Sequence, residues 1–206
     1  MKNAYFALKD AKRQRVYAAC LREFASHDYD AASLDAICAG AEISKGGLYE
    51  YIGSKEELYL FVIETGVTQL YDFLSASLPN PDVATDLLDR FRTVSQSAIG
   101  FYLDHPACVE LMVRASRLPE GDLAIQVAGL FNSQFERIFS CVSCQDLAFP
   151  RERLLELMRW LLAKTRADFL RSSKNGADPD TVRQTYQDEW EFMLAILAHG
   201  IYQKEE

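Results

Sequence analysis

The stretch from Ser33 to Tyr59 constrains the fold of this 206-residue chain more than any other part of its sequence. Its pattern is typical of a short helix, a tight turn, a second short helix, a glycine-containing break and the start of a third helix. Two short helices joined by a few residues rarely bury enough surface to be stable alone. They form a stable unit when one helix is presented to a partner and another helix supports it from behind. The stretch therefore predicts a presented helix and suggests nucleic-acid binding.

Serines are well placed to cap each of these three helices. Ser33 and Ser44 each precede a segment of helical spacing, which is where a side-chain oxygen can accept from the first free N–H groups. Ser54 and Glu57 have the spacing of a capping box, in which side chain and backbone satisfy each other reciprocally. The sequence therefore predicts helices of residues 34–40, 45–52 and 55–77.

Two adjacent glycines in the first turn of the second short helix are unusual. Gly46 and Gly47 each cost roughly 0.5–1 kcal/mol relative to alanine inside a helix. Glycines are tolerated where the backbone must come very close to another molecule, and a DNA sugar-phosphate strand is one candidate. The alternative is a frayed helix start.

The formal charge of −8 is unevenly distributed. Residues 1–60 carry eight Lys or Arg against nine Asp or Glu, whereas the remaining residues carry fourteen against twenty-one. Within residues 1–22, six side chains are basic and one is acidic. A basic cluster at the start of the first long helix (Lys9, Lys12, Arg13 and Arg15) is therefore able to meet phosphates, although each residue alone is better explained as a solvated charge.

The composition and the positions of proline and aspartate favour an all-α fold. The chain has six prolines, ten glycines and few β-branched runs, and proline or aspartate precedes several helical segments. We predict about nine helices: an N-terminal three-helix helix-turn-helix domain over residues 1–53 and a larger helical domain over 54–206. Helix 54–77 would link the two before Pro79-Asn80-Pro81, and Asp82 would cap the next helix.

The last two long helices are apolar on two sides, which indicates either a central position or a shared subunit interface. We predict a four-helix dimer interface formed by one stripe from each helix. The stripe comprises Leu154, Met158, Leu161, Trp190, Met193, Leu194, Leu197 and Ile201. Phe192 and Ile196 lie on another side of the last helix.

The sequence gives little indication of a secreted, membrane, metal-binding or redox protein. The five cysteines are an odd number, and the N-terminus lacks the apolar core of a signal peptide. No apolar run reaches membrane-spanning length. We therefore expect a cytoplasmic chain with free thiols, no membrane association, no metal and no cofactor. Cys141 and Cys144 have CxxC spacing but no second pair, so a redox or zinc role is the weaker alternative to buried small side chains.

A family resemblance rests on residues 11–61. Val16, Ala19, Cys20 and Phe24 are followed by Tyr29-Asp30-Ala31-Ala32-Ser33-Leu34, by Ile43 to Tyr49, and by Ser54-Lys55-Glu56-Glu57-Leu58. In this pattern the chain resembles the N-terminal domain of the TetR family of transcriptional regulators. The remainder resembles that family only in plan, with several helices of which the last two are long.

The resemblance implies a helix-turn-helix of Ser33–Gly40 and Ser44–Ile52, whose second helix enters the major groove of operator DNA while a homodimer reads two half-sites. The residues that it implies at the DNA are Ser33, Ser44, Lys45, Gly46, Gly47, Tyr49, Glu50, Tyr51 and Lys55. Tyr49, Tyr51 and Lys55 fall where the family touches phosphates, and a hydroxyl or an ammonium is a suitable donor. Tyr49 packing between helices and Lys55 as a solvated charge remain alternatives.

Four residues depart from the family pattern, and two of them, Gly47 and Glu50, affect specificity, whereas the other two are structurally tolerable. Gly47 replaces the usual Thr or Ser, and Glu50 replaces an aromatic residue, His or Arg on the recognition helix. A carboxylate at Glu50 repels phosphate but is able to accept from cytosine N4. Ile52 and Glu42 replace the usual Phe and turn Gly, respectively.

The resemblance also implies that a small molecule binds inside the C-terminal body and changes operator affinity, most often by releasing a repressor. Candidate pocket residues are Phe91, Phe101, Tyr102, Met112, Phe131, Phe135 and Trp160. Their side chains favour an apolar or aromatic effector, although core packing is the better explanation for each of them taken alone. We do not expect an enzyme. The alternatives are a redox sensor or enzyme using Cys141 and Cys144, and a helical adaptor that binds no DNA.

Overall fold

The computed structural model describes residues 1–78, 85–143, 147–174 and 176–200. Helices dominate these residues, as predicted. They are α1 (Asn3–Phe6), α2 (Asp10–Ser26), α3 (Leu34–Ala41), α4 (Lys45–Tyr51), α5 (Lys55–Ala76), α6 (Leu87–Asp104), α7 (Pro106–Ala115), α8 (Asp122–Phe139), α9 (Arg151–Lys174) and α10 (Pro179–Gly200). A two-residue strand, β1 (Thr85–Asp86), pairs in parallel with β2 (Val142–Ser143). The sequence had not predicted the short α1 or this strand pair.

The predicted serine caps are confirmed. Ser33 Oγ accepts from Ala36 N at 3.3 Å, and Ser44 Oγ accepts from Gly47 N at 3.0 Å. Ser54 Oγ accepts from Glu57 N at 3.0 Å, but the Glu57 carboxylate accepts from Gly53 N at 2.5 Å rather than from Ser54. The reciprocal half of the predicted capping box is therefore displaced by one residue.

Aspartate side chains cap two of the later helices in the same way. Asp86 Oδ1 caps α6 by accepting from Leu88 N at 2.8 Å, and Asp178 Oδ1 caps α10 by accepting from Asp180 N at 3.0 Å. Residues 79–84, which include the predicted proline stop and the Asp82 cap, lie outside the described residues. Helix α8 ends at Phe139, earlier than the expected end near Cys144, because the chain then enters β2.

The chain forms two compact units. Unit 1 comprises Met1–Thr68 and Ala107–Asn132, and unit 2 comprises Gln69–Pro106 and Ser133–Glu206. Helices α5 and α8 each contribute residues to both. The units are regions of close packing rather than demonstrated folding domains, so the domain boundary between residues 53 and 54 remains a prediction.

In unit 1, α2 supports the helix pair α3–α4. Val16, Cys20 and Phe24 on α2 are buried, as the helical spacing predicts. Phe24 also meets Tyr59 edge-on at 5.0 Å between ring centroids. Helices α5 and α7 approach closely, since a Cβ on Gly66 would lie 2.7 Å from Cys108 Sγ.

In unit 2, α10 packs against α6 and α9. Trp190 is fully buried and meets Phe91 edge-on at 5.3 Å, while Phe135 stacks on Phe139 at 4.5 Å. Arg90 is buried and donates from Nη1 to Ile138 O at 2.8 Å, which satisfies part of its hydrogen-bonding capacity. Among the described residues, no helix is both long and apolar enough to cross a membrane.

Candidate nucleic-acid interface

Helix α4 presents one polar face and buries the other. Leu48 is fully buried, whereas Lys45, Gly46, Tyr49 and Glu50 are exposed. Exposed positions at i, i+1, i+4 and i+5 lie on one side of a helix. The structure therefore brings together four of the residues predicted to meet DNA.

Helix α1 supports the C-terminal end of α4, a role that the sequence did not reveal. Lys2 N donates to Tyr51 O at 2.8 Å, and Lys2 Nζ donates to Tyr49 O at 2.8 Å. Carbonyls in the last turn of a helix have no partner inside the helix, so these bonds satisfy groups that would otherwise need water. Lys2 and Tyr49 are 47 residues apart in the chain, so no local pattern in the sequence indicates this contact.

Tyr51 was predicted to be an exposed hydrogen-bond donor to phosphate, but its side chain is buried. It is only 5% exposed, and its ring meets Tyr5 edge-on at 6.4 Å. Lys12 Nζ lies 5.8 Å from the Tyr51 ring centroid. The structure thus corrects the interpretation of Tyr51, because its side chain packs within unit 1 instead of standing on the polar face of α4.

The two glycines of α4 have different surroundings. A Cβ on Gly46 would meet no heavy atom within 4 Å, whereas a Cβ on Gly47 would lie 3.2 Å from Ser44 Oγ. At Gly47 a side chain would press on the helix cap. At Gly46 the protein itself leaves space for a side chain.

An ion pair joins the starts of the two short helices. Lys45 Nζ lies 2.9 Å from Asp35 Oδ1. The hydrogen bond and charge of Asp35 raise the pKa of Lys45, which keeps the ammonium charged. Ser33 is exposed beside this pair, with its N–H donating to Glu23 Oε1 at 2.8 Å.

Lys55 is held at the N-terminus of α5. Its Nζ donates to Asp30 O at 3.2 Å and lies 4.9 Å from the centroid of Tyr29. These contacts place a cation where the helix already favours anions. The structure therefore positions Lys55 by packing, rather than leaving it as a fully solvated charge.

The basic cluster of α2 is largely engaged with the protein itself. Arg13 pairs with Asp10 at 2.5 Å, and Arg15 pairs with Glu42 at 3.1 Å. Glu42 adopts φ 55°, the left-handed conformation for which glycine is the usual choice. The Arg15 pair thus holds the turn residue that departs from the family pattern.

The predicted effector residues lie in both units and differ in exposure. Phe91, Phe101, Tyr102 and Phe135 are buried in unit 2, Met112 is buried in unit 1, and Phe131 is half-buried. Trp160 is 61% exposed. It stands on the outer side of α9, so its assignment to an interior pocket is wrong.

The predicted dimer stripe is the core-facing side of α9 and α10. Leu154, Met158, Trp190, Leu194 and Leu197 are all buried within unit 2. Leu161 and Met193 are half-buried, and Ile201 lies outside the described residues. Each helix has two apolar sides, and the sequence does not indicate which of them packs against α6.

A different set of apolar side chains on these helices is exposed. Phe192 is 65% exposed, and Leu157, Trp160 and Ile196 are exposed with it. We call these four residues the outer apolar face. Large side chains of this kind are favoured in subunit interfaces and disfavoured in water.

The cysteines give no support for a metal or redox centre. Cys20, Cys38 and Cys108 are buried, and burial raises the pKa of Cys20 to about 12. Cys141 is a half-buried free thiol, while Cys144 lies outside the described residues. Across the described parts of the chain, no group of three or more His, Cys, Asp or Glu residues is arranged to hold a metal ion.

Comparisons with known proteins extend the resemblance. The sequence profile described as "Bacterial regulatory proteins, tetR family" matches residues 16–62. The chain is 25% identical over 184 residues to the HTH-type transcriptional activator FasR of Mycolicibacterium smegmatis, covering 88% of this chain and 83% of FasR. It is 30% identical over 104 residues to the HTH-type transcriptional repressor SCO4008 of Streptomyces coelicolor, covering 50% of this chain and 48% of SCO4008.

Solved structures share the fold over nearly the whole chain. A TetR family transcriptional regulator from Chloroflexus aurantiacus has a TM-score of 0.72 at 20% identity, covering 98% of this chain and 99% of that one. A second regulator of the same description, from Shewanella sp. PV-4, has a TM-score of 0.67 at 17% identity, covering 94% of this chain and 99% of that one. At these identities the likeness concerns the fold, and it includes the helices beyond residue 62.

Proposed function

We propose that this chain is a DNA-binding transcriptional regulator of the TetR family and that it acts as a homodimeric repressor released from its operator by a small molecule. The observation that carries the proposal is the exposed polar face of α4, supported from behind by α1 and α2. A short helix with firm caps and an exposed polar side is the arrangement that enters a major groove.

Three exposed residues of α4, together with Lys55 at the start of α5, have distinct roles at the DNA. Gly46 permits close approach of the sugar-phosphate strand, because no side chain intervenes. The Tyr49 hydroxyl and Lys55 ammonium donate to phosphates, which positions the helix without reading sequence. Glu50, for which no ion pair is found among the described residues, accepts from the N4 amino group of cytosine and so reads sequence.

The outer apolar face supports dimerisation through α9 and α10. Two copies of this helix pair, related by a two-fold axis, would form a four-helix interface that removes Trp160 and Phe192 from water. Burial of large aromatic side chains is a major source of affinity between protein surfaces. A dimer of this kind presents two α4 helices to two half-sites of a palindromic operator.

The effector is proposed to bind in the C-terminal body and to favour the protein conformation with lower operator affinity. Coupling of this kind is typically worth 1–3 kcal/mol, or about 5–150-fold in affinity. We propose repression in accordance with the name of SCO4008, although FasR is named an activator. A regulator of this class acts in the bacterial cytoplasm and needs no enzymatic activity.

Selection of bound sequences from a random duplex pool tests the DNA-binding proposal with the full chain. The expected result is an enriched palindromic site with half-sites about one helical turn apart, or a multiple of that distance. Salt-sensitive binding without sequence enrichment would contradict a specific regulator, and absence of binding would favour the helical adaptor.

The selected site then allows the direction of regulation to be measured. When the selected site is placed before a reporter gene, the protein should reduce expression of that gene. Addition of the effector should restore expression. An increase in expression caused by the protein would identify an activator and contradict the proposed repression.

A further inference from the structure

One arginine joins helix α7 to the end of helix α2. Arg114 Nε donates to Ala25 O at 2.7 Å, and its Nη1 donates to Asp28 Oδ1 at 2.8 Å. Ala25 lies in the last turn of α2, where carbonyl groups have no partner within the helix. A cation at this point also meets the negative end of the helix dipole. Arg114 therefore stabilises the place at which α2 ends and the next turn begins.

The guanidinium group is suited to this double contact because its N–H donors are fixed in one plane. Its remaining nitrogen, Nη2, lies 3.4 Å from Glu110 Oε1, one turn earlier on α7. The side chain of Arg114 is 28% exposed. Its orientation is thus set by a carboxylate of its own helix on one side and by two acceptors beyond α2 on the other.

Asp28 begins the turn that leads into the helix-turn-helix. Its backbone carbonyl accepts from Ala31 N and from Ala32 N, each at 3.0 Å. Ala32 is buried, and the next residue, Ser33, caps α3. Asp28 consequently contacts Arg114 through its side chain and holds the turn through its carbonyl group.

The same turn holds the ammonium group of Lys55. Asp30 O accepts from Lys55 Nζ at 3.2 Å, and the centroid of the Tyr29 ring lies 4.9 Å from that nitrogen. Both contacts come from residues directly after Asp28. A short series of contacts therefore runs from Arg114 through Asp28 and the turn to Lys55.

Little packing supports the turn on the side of α7. A cavity of about 390 Å³ lies there, and its lining includes Tyr29, Asp30, Arg114 and Arg117. Because this space is open, the hydrogen bonds of Arg114 restrain the turn more than apolar contacts do. Loss of these bonds should let the turn move, and with it the acceptor that holds Lys55.

We propose that Arg114 is a positioning residue for the phosphate contact of Lys55. Arg114 holds Asp28 and the end of α2, the turn holds Lys55, and Lys55 donates to the phosphate. The inference rests on the proposed function, because Lys55 has a phosphate partner only if the chain binds DNA. All of these residues belong to unit 1. The sequence did not indicate a role for α7 at the DNA.

A double-mutant cycle with the full-length protein and the selected operator tests this role. Arg114→Gln should weaken operator binding about fivefold, but less than about twofold when Lys55→Ala is already present. Arg114→Gln should also lower the slope of log affinity against log salt by up to about one, as Lys55→Ala does. A merely structural role would reduce the fraction of folded protein and leave this slope unchanged. Fluorescence anisotropy at several salt concentrations measures both quantities.

Arg117→Gln is the matched control. Arg117 lines the same cavity and has the same charge, but no hydrogen bond from its side chain is found among the described residues. Its substitution should change operator affinity less than about twofold. Arg114→Lys keeps the charge and lacks the planar fork, so it should restore only part of the lost affinity. Circular dichroism confirms that each variant is folded at the temperature of the titrations.

Hydrogen exchange provides a measurement without DNA. The amide of Ala32, which is bonded to Asp28 O, should exchange at least about threefold faster in Arg114→Gln than in the unaltered protein. The amide of Gly47, which is bonded to Ser44 Oγ at the start of α4, should exchange at the same rate in both. An unchanged rate at Ala32 would overturn the link between Arg114 and the turn.

The outcomes separate this role from the proposed function. Absence of sequence-specific DNA binding by the unaltered chain would contradict both. If the operator is bound but Arg114→Gln and Lys55→Ala weaken binding additively, Arg114 acts independently of Lys55 and the positioning role is wrong. Full restoration by Arg114→Lys, or an equal effect of Arg117→Gln, would also overturn it, because charge alone would then explain the loss.

Discussion

The exposed face of α4 and the outer apolar face of α9 and α10 differ in chemistry. The first presents Lys45, Gly46, Tyr49 and Glu50, which are small, polar or charged. The second presents large apolar side chains, including Trp160 and Phe192. Exposure of a polar face to water costs little free energy, and contacts with phosphates stabilise its binding to DNA. An apolar face is stabilised when a second surface excludes water from it. The two faces are therefore suited to different partners, DNA and a second copy of the chain.

This difference has a consequence for salt dependence. Phosphate contacts release counterions, so operator binding weakens as salt concentration rises. Apolar burial depends weakly on salt in the same range. Dimerisation should consequently persist at salt concentrations at which operator binding is lost, which allows the two interfaces to be studied separately.

The largest effect is expected from charges placed on the outer apolar face. The double variant Trp160→Glu, Phe192→Glu should be monomeric, because a two-fold interface would bring four unpaired carboxylates together. Operator affinity should fall at least about 100-fold, since one monomer engages a single half-site. Light scattering after size exclusion measures the mass, and helical content should be unchanged because both side chains are exposed.

Ile125→Glu is the matched control for that variant. Ile125 is an exposed apolar residue on α8, outside the outer apolar face. This variant should remain dimeric. A dimeric Trp160→Glu, Phe192→Glu protein would show that the subunits associate elsewhere.

A second prediction separates the two apolar sides of α10. Leu194→Ala should reduce the free energy of unfolding by about 2–5 kcal/mol, because the side chain is fully buried in unit 2 and its removal leaves a cavity. Ile196→Ala should instead weaken dimerisation and change protomer stability little. Dimer dissociation on dilution, followed by light scattering, should change only for Ile196→Ala, and urea unfolding at a concentration at which the protein is monomeric should change mainly for Leu194→Ala. The opposite assignment of the two variants would restore the stripe predicted from sequence.

At the polar face, Gly46→Ala should change stability and DNA binding in opposite directions. The added methyl group meets open space, so helix propensity should stabilise the fold by about 0.5–1 kcal/mol. Operator affinity should fall about tenfold, or about 1.4 kcal/mol, because the methyl group separates α4 from the phosphate strand. Thermal unfolding and fluorescence anisotropy measure the two quantities.

Gly129→Ala is the corresponding control on α8, where a Cβ also meets nothing within 4 Å. It should give a similar gain in stability with unchanged operator affinity. If Gly46→Ala bound the operator normally, glycine at that position would have no role at the DNA.

The smallest expected change concerns Lys55, which should contribute affinity without sequence preference. Lys55→Ala should weaken all duplexes about equally and reduce the slope of log affinity against log salt by about one. Glu50→Gln should instead alter which half-site is preferred. Titrations at several salt concentrations, with the selected site and a scrambled duplex, measure both. An unchanged slope for Lys55→Ala would exclude its phosphate contact.

The local elements of unit 1 followed closely from the sequence. A serine cap, a helix of seven residues and a following break are decided by hydrogen bonds among near neighbours, so Ser33, Ser44 and Ser54 identified the helix starts correctly. The exposed position of Tyr49 was also predicted, because family resemblance and helical periodicity agreed. Tyr51 was placed wrongly, because its ring packs against α1, a helix whose four residues give no clear sequence signal.

The sequence by itself thus determined the helical class, the caps, the family resemblance and most of the polar face of α4. Only the tertiary structure decided which apolar side of α9 and α10 faces α6, that Lys2 supports the end of α4, and that Tyr186 and Trp190 are buried against each other. The physical reason is the separation along the chain of the residues that interact. Caps and turns depend on neighbours within a few residues, whereas burial depends on helices about a hundred residues apart, as Phe91 and Trp190 illustrate.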